Sequence, residues 1–105
     1  MIRHVVMWRL KDEACGNNRE SNALKIKEQL ESLQGKINEL KSAKVNINHK
    51  LAPEGNFHVI LEAEVEDFNA LKVYANHPLH LKVVEFIKEV SENRVALDYE
   101  YGKKS

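Results

Sequence analysis

The sequence predicts an α+β domain in which strands and helices follow the order β-α-β-β-α-β. Four segments are rich in β-branched and aromatic residues, and three of these alternate apolar with polar side chains, as half-buried strands do. Longer segments between them repeat apolar side chains every three or four residues, which is typical of amphipathic helices. Elements in this order form a four-stranded antiparallel sheet with its helices on one face, the ferredoxin-like plan.

The first strand is predicted at residues 2–10. Apolar side chains occur there at both odd and even positions, so we expect both faces of this strand to be covered. The odd set contains Val5 and Met7. The even set is larger and consists of Ile2, Val6, Trp8 and Leu10.

The first helix is predicted at residues 18–33. One stripe of apolar side chains recurs there at spacings of three and four, while lysines and glutamates occupy the other sectors. Gly35 follows, and glycine readily adopts the left-handed conformation that ends a helix. We therefore expect a surface helix that buries a single face, made of Ala23, Ile26, Leu30 and Leu33.

A hairpin is predicted from residues 44–51 and 57–65, which are joined by a loop that contains Pro53 and Gly55. Both segments alternate apolar and polar side chains. The apolar face of the first segment is predicted to hold Val45, Ile47, His49 and Leu51. That of the second is predicted to hold Phe57, Val59, Leu61, Ala63 and Val65.

The second helical segment contains a proline. Asp67 is placed to cap a helix that begins at Phe68, because its carboxylate can accept from free backbone amides. Pro78 lacks an amide hydrogen and must interrupt this helix, but proline suits the first turn of a new one. A further helix is therefore predicted at residues 78–91, and residues 94–101 alternate again as the fourth strand.

Helices on one side leave the other side of the sheet bare. We expect Ile2, Val6 and Trp8 to lie on this bare face, and a patch of that size rarely stays exposed on a monomer. The sequence therefore predicts a homodimer in which two sheets pack face to face around a partly closed, barrel-like interior.

Length and composition limit the classes of function. The 105 residues suffice for one domain, residues 1–105. Sixteen basic and sixteen acidic side chains cancel, which argues against nucleic acid or an anionic membrane as a partner.

Cys15 is the only cysteine, so no intramolecular disulfide is possible. A leader sequence and a bilayer-spanning apolar run are not found, and we expect a cytoplasmic protein.

The segment 74–80 holds most of the candidate chemistry, because it places a phenol and two imidazoles around one proline, and imidazole titrates near neutral pH. His80 fits a general base in a partly dry cavity, and its alternative role is to brace the helix. Tyr74 fits a hydrogen-bond donor to a substrate carbonyl, or a core residue with a local partner. His77 precedes the proline and also suits a helix cap.

Further candidates lie on the strands. His4, Val6 and Trp8 share one parity and are predicted to reach the cavity of the dimer if that face forms its interior, although a position near solvent at the strand end also fits His4. His58 is predicted to border the same cavity. The spacing of the histidines matches no metal-binding motif, so we expect neither a metal nor a cofactor.

Three segments together resemble a known family. They are residues 2–8 (IRHVVMW), 74–80 (YANHPLH) and 94–100 (RVALDYE). The chain is similar to the stress-responsive A/B barrel family, also called the dimeric α/β-barrel domain, over nearly its whole length and in the same element order. The resemblance implies a ferredoxin-like homodimer.

The family includes plant stress proteins and a plant polyketide cyclase, olivetolic acid cyclase, to which this chain is distantly similar. In that cyclase a tyrosine before a His-Pro pair and the histidine two residues after the proline form the reactive couple. The resemblance thus implies that Tyr74 and His80 are the reactive residues here. It also implies that His4 lies near the cavity, and that His77 is equivalent to the histidine directly before the proline in the cyclase.

The predicted function is a cofactor-free proton transfer of the cyclase, isomerase or lyase type on a compact apolar or aromatic carbonyl compound. His80 and Tyr74 are the predicted catalytic residues. The residues predicted to bind substrate are His4, Val6, Trp8, His77 and His58. One alternative is a non-catalytic stress or assembly protein whose selected property is the stable dimer. Another is a cofactor-independent monooxygenase or a haem-degrading enzyme.

Overall fold

The predicted order of elements is confirmed, with one short addition. The computed structural model describes residues 1–102. Its strands are β1 (Ile2–Leu10), β2 (Glu13–Ala14), β3 (Asn17–Asn18), β4 (Ser42–Ile47), β5 (Val59–Val65) and β6 (Ser91–Glu100). Its helices are α1 (Arg19–Glu31), α2 (Phe68–Asn76) and α3 (Pro78–Val90). The addition is the small hairpin of β2 and β3, which precedes α1.

The four long strands form one antiparallel sheet in the order β4-β5-β1-β6. Within it, Val6 of β1 lies opposite Leu61 of β5 and Ala96 of β6. Residues that lie opposite one another point to the same face of a sheet. The register therefore assigns each side chain either to the helix-covered face or to the opposite, open face. This topology is the ferredoxin-like fold that the sequence predicts.

The helix-covered face carries the core. Ile2, Val6 and Trp8 lie on it, with only 3, 1 and 6% of their surfaces exposed. The prediction that these three residues form the bare face is therefore wrong. The cause is that β1 has apolar side chains at both parities, so its own pattern cannot choose a face. The register of β1 with β5 decides which face is buried, because the alternating apolar set of β5, which includes Leu61, is also buried.

The open face of the sheet is bare, as predicted, but it consists of the other parity. Its apolar side chains are Val5, Met7, Ile60, Val95, Leu97 and Tyr99. Leu97 is the most exposed of them, at 63%. At one end of the face, Arg3 donates to Glu64 Oε2 at 3.1 Å, and its guanidinium lies 4.4 Å from the ring centroid of Tyr101. The open face is thus apolar at its centre and charged at its margin.

Side-chain caps start α1 and α2. Asn18 and Asp67 each accept a hydrogen bond from the backbone amide three residues further on, at 2.9 and 2.8 Å. Helix α1 ends at Glu31, two residues earlier than predicted, and Gly35 has a φ of +91° in the turn beyond it. The predicted apolar seam nevertheless continues, since Leu33 is buried.

Helix α1 also covers the outer edge of β4. Glu31 Oε2 accepts from the backbone N–H of Val45 at 3.0 Å, and Lys27 Nζ donates to the carbonyl of Val45 at 2.7 Å. Gln34 Oε1 accepts from the backbone N–H of Ala43 at 3.0 Å. The hydrogen bond from Val45, helped by Lys27 and opposed by burial, lowers the pKa of Glu31. Side chains of the helix therefore satisfy backbone groups that an edge strand would otherwise leave free.

Both strands of the predicted hairpin are shorter than expected. Strand β4 ends at Ile47, because the chain turns beyond it and His49 Nδ1 accepts from the backbone N–H of Leu51 at 3.0 Å. Leu51 is 82% exposed, so it does not belong to the apolar face. Strand β5 begins at Val59.

None of the helices found in residues 1–102 combines the length and apolarity needed to cross a bilayer.

Candidate functional site

His77 separates α2 from α3. Its backbone N–H donates to the carbonyl of Tyr74 at 3.1 Å, and its Nδ1 accepts from the backbone N–H of Leu79 at 3.1 Å. Pro78 occupies the first position of α3, where an amide hydrogen would have no helical partner. This break redirects the chain, so that Tyr74 and His80 line the same cavity although they belong to different helices.

The cavity has a volume of about 670 Å³ and lies between the helix-covered face of the sheet and helices α2 and α3. This volume is within the usual range of small-molecule sites. Five of the seven predicted site residues line it: His4, Val6, Trp8, Tyr74 and His80. Most of the remaining wall is apolar and includes Leu30, Leu61, Leu71, Val84 and Ile87. A compact apolar molecule fits a space of this kind.

Tyr74 places a hydroxyl in this apolar space. The residue is 1% exposed, and its hydroxyl has no hydrogen-bond partner among the described residues. Burial raises the pKa of the phenol well above its ordinary value. Tyr74 is therefore a neutral hydrogen-bond donor throughout the physiological pH range, and no described residue accepts from it.

His80 lies against Tyr74, with ring centroids 4.3 Å apart and planes inclined by 44°. Its Nδ1 is 3.0 Å from the carbonyl of Ala75. A carbonyl can only accept, so Nδ1 carries the hydrogen and Nε2 is left as the proton acceptor of the neutral ring. Burial lowers the pKa of His80; the bond to Ala75 opposes this, and the nearby His4 and Arg94 add to it. The imidazole is thus held in its basic, neutral form.

His4 contributes a second imidazole. Its Nδ1 is 2.5 Å from Asp98 Oδ1, and its ring meets the ring of Tyr74 edge to face with centroids 6.4 Å apart. Because the carboxylate accepts from Nδ1, the Nε2 is left as the acceptor of the neutral ring. The phenol of Tyr74 therefore contacts two imidazoles, one held by a carboxylate and the other by a backbone carbonyl.

Two charged residues of β6 line the cavity although they were not predicted as site residues. The pairing of β6 with β1 places Asp98 opposite His4 and Arg94 opposite Trp8, on the helix-covered face. The signal for both is their even parity in the fourth strand. That signal becomes readable only once the register between β1 and β6 is known.

The structure does not bring His77 and His58 to this cavity. The ring of His77 caps α3, as its alternative interpretation predicts. His58 Nδ1 accepts from the backbone N–H of Leu10 at 2.9 Å, and burial together with Arg19 and Arg9 lowers the pKa of His58. Within residues 1–102, no three histidine, cysteine, aspartate or glutamate side chains are grouped as a metal site requires.

Several solved structures share this fold. A protein of unknown function from Bacteroides fragilis, described as dimeric and ferredoxin-like, matches with a TM-score of 0.84 and 27% identity over 95% of each chain. Hydroxynitrile lyase from Passiflora edulis matches with a TM-score of 0.77 and 19% identity, over 99% of this chain and 95% of the lyase. An antibiotic biosynthesis monooxygenase matches with a TM-score of 0.72 and 12% identity, over 98% of this chain and all of the other. At these identities, the two enzymes show the fold alone.

Sequence comparison gives a more specific result. No curated protein sequence matches the chain. The family model of the stress responsive A/B barrel domain, however, aligns with residues 2–101, which is almost the whole chain. This range contains the three segments that resemble the family and every residue that lines the cavity. The chain therefore belongs to the stress responsive A/B barrel domain family.

Proposed function

We propose that the protein is a homodimeric enzyme that binds a compact apolar or aromatic carbonyl compound in this cavity and transfers a proton on it without a cofactor. The observation that carries the proposal is the buried, unpartnered hydroxyl of Tyr74 beside the neutral imidazole of His80. A buried polar group without a partner costs about 1–3 kcal/mol. Such a group is understandable where a ligand supplies the missing hydrogen bond.

In the proposed reaction, the carbonyl oxygen of the substrate accepts a hydrogen bond from Tyr74. The Nε2 of His80 removes a proton from the carbon next to the carbonyl, and the electron pair of that C–H bond moves into an enolate whose oxygen Tyr74 stabilises. The resulting imidazolium keeps its Nδ1–H bond to Ala75. Return of the proton to a different atom gives an isomerisation, while attack of the enolate carbon on a second carbonyl gives a cyclisation.

His4 supports the same chemistry from the other side of Tyr74. Its Nδ1 is committed to Asp98, so its Nε2 is available to deliver or receive the second proton that a complete turnover requires. One structural neighbour is a hydroxynitrile lyase. That similarity supports proton-transfer chemistry in this fold, and the reactive groups proposed here come from this chain's own cavity.

The open face of the sheet supports the dimer. Its apolar centre, which includes Met7, Val95 and Leu97, is exposed on a single chain. Burial of this surface against a second copy removes it from water, at about 25 cal/mol per Å². The neighbour from Bacteroides fragilis is described as dimeric. We therefore propose that two copies pack through their open faces, which leaves the catalytic cavity of each on the opposite side of its own sheet.

The open face is also the observation that favours the alternative, a non-catalytic protein whose role is the stable dimer. That alternative requires no internal space, and core side chains would then fill the region between sheet and helices. The cavity of about 670 Å³ weighs against it. The monooxygenase alternative is supported by similarity of fold alone.

A hydrogen-exchange assay tests the proposed reaction. Aryl ketones and aldehydes that raise the melting temperature are incubated with the protein in D₂O, and NMR follows deuterium uptake at the carbon next to the carbonyl. We expect Tyr74→Phe and His80→Gln each to slow this exchange by at least about 100-fold while the fold is kept. His77→Asn is the control, because it changes an imidazole outside the cavity and asparagine can also cap α3. Equal rates for His80→Gln and the wild type, or a panel without any binder, would contradict the proposal.

A further inference from the structure

The charged side chains of the cavity wall are mostly cationic. Lys72 of α2, Lys88 of α3 and Arg94 of β6 line the cavity, and Asp98 is the one carboxylate with them. The chain as a whole has equal numbers of acidic and basic residues. The positive excess is therefore a local property of this cavity, where three elements each contribute a cation.

The cations of the cavity have no protein counter-ion. Among residues 1–102, no carboxylate lies within 4.0 Å of the charged groups of Lys72, Lys88 or Arg94. Asp98 is held by His4 through the contact of 2.5 Å. Arg3, by contrast, has its carboxylate partner Glu64 on the open face. The cavity thus keeps positive charge available to a ligand, whereas Arg3 is paired within the chain.

Arg94 and the His4–Asp98 pair lie at separate places along the cavity wall. Arg94 and Asp98 are four residues apart on the same face of β6, which corresponds to about 13 Å along an extended strand. Trp8 lies opposite Arg94, and His4 lies opposite Asp98. Between these two pairs the wall is apolar, with Val6 of β1 opposite Ala96 of β6. The cavity therefore offers a cation on β6 with apolar surface between it and the His4–Asp98 pair, in addition to the hydroxyl of Tyr74.

We propose that the ligand of this cavity is an anion, namely an apolar carbonyl compound that also carries a carboxylate, with its carbonyl at Tyr74 and its carboxylate at Arg94. This inference rests on the proposed function and adds the charge of the substrate to it. The guanidinium of arginine matches a carboxylate with two parallel hydrogen bonds. Lys72 and Lys88 add attraction without fixing the orientation. The buried hydroxyl of Tyr74 is the independent sign that a ligand occupies the same space.

Pairs of acids and amides test this inference. The probes are 3-benzoylpropionate with 3-benzoylpropanamide and 4-acetylbenzoate with 4-acetylbenzamide, and calorimetry measures the dissociation constant of each. We expect the acid of at least one pair to bind about tenfold more tightly than its amide, which is about 1.4 kcal/mol. Arg94→Gln should abolish this preference. Lys82→Gln is the matched control, because it removes a positive charge from α3 at a position outside the cavity.

The outcomes separate this inference from the proposed function. If acid and amide bind equally to the wild type, and Tyr74→Phe weakens both, the anion preference is overturned while the carbonyl site stands. If Arg94→Gln keeps the preference, the assignment of the carboxylate to Arg94 is overturned. If neither member of either pair binds, both proposals fail for aryl ketones. Urea unfolding of Arg94→Gln verifies that a lost preference does not come from a lost fold.

Discussion

The imidazole of His80 contacts the phenol ring of Tyr74, with centroids 4.3 Å apart, across a break between two helices. In one continuous helix, residues six positions apart would point in directions about 120° apart around the axis. The contact therefore depends on the interruption at His77 and Pro78. A local feature that ends one helix and starts the next is what brings the two reactive groups together.

Removal of the Tyr74 hydroxyl should separate binding from stability. This hydroxyl is buried and has no partner among the described residues, so Tyr74→Phe should not lower the free energy of unfolding and should raise it by up to about 1–3 kcal/mol. Ligand binding should nevertheless weaken, because the donor to the carbonyl is lost. Urea unfolding and calorimetry measure the two effects, and Tyr101→Phe, outside the cavity, serves as the control. A large loss of stability in Tyr74→Phe would identify the hydroxyl as structural.

His80 should make stability depend on pH. Burial lowers the pKa of His80 below the 6.5 of an ordinary histidine, so the unfolded chain binds a proton at pH values where the folded chain does not. The contribution to stability is complete above the unfolded value and is lost as the pH falls through the lowered pKa. His58 acts in the same direction. His80→Gln should therefore reduce, but not remove, the slope of unfolding free energy against pH between about 5 and 7. An unchanged slope in urea titrations would disprove this.

His77 should act as a cap and not as a ligand of the substrate. Its Nδ1 accepts from the backbone N–H of Leu79, so His77→Ala should lower the free energy of unfolding by about 1 kcal/mol. His77→Asn should recover most of this loss, since asparagine is a preferred cap. Neither variant should change the affinity for a carbonyl ligand. Thermal unfolding and calorimetry on the two variants check this. A loss of affinity in both would show that His77 contributes to ligand binding.

Leu97 should decide the oligomeric state. It lies on the open face and is 63% exposed on one chain. If two copies share this face, Leu97→Lys would bury an ammonium group and weaken the dimer by several kcal/mol. Leu24→Lys is the matched control, because Leu24 is 59% exposed on α1. Light scattering at micromolar concentration should give half the mass for Leu97→Lys only. A monomeric wild type, or two dimeric variants, would refute the shared face.

The element order and the helix break were predictable because they depend on local chemistry. Asp67 and Pro78 each act on neighbouring backbone groups, so their positions in the sequence were enough. The face of β1 was not predictable, because both of its parities are apolar. Its pairing with the alternating strand β5 decides the face, and that pairing joins residues more than 50 positions apart.

The candidate site was predictable in part for the same reason. Tyr74 and His80 are close in sequence, and the proline between them marked the segment. Asp98 and Arg94 reach the cavity only through the register of β6 with β1. His58 is also a histidine, but it lies just before β5 and outside the cavity, where its Nδ1 accepts from the backbone N–H of Leu10. A prediction based on residue type alone therefore included His58 among the site residues, although it does not reach the cavity.

The contacts of α1 with β4 bear on how the molecule avoids uncontrolled association. Glu31 and Lys27 occupy the N–H and the carbonyl of Val45, and Gln34 occupies the N–H of Ala43. A foreign strand adds less readily along this side, because three of the groups it would bind are already satisfied. The proposed association through the open face is therefore separate from strand addition at the β4 edge, and the closed pair need not lead to open-ended polymerisation.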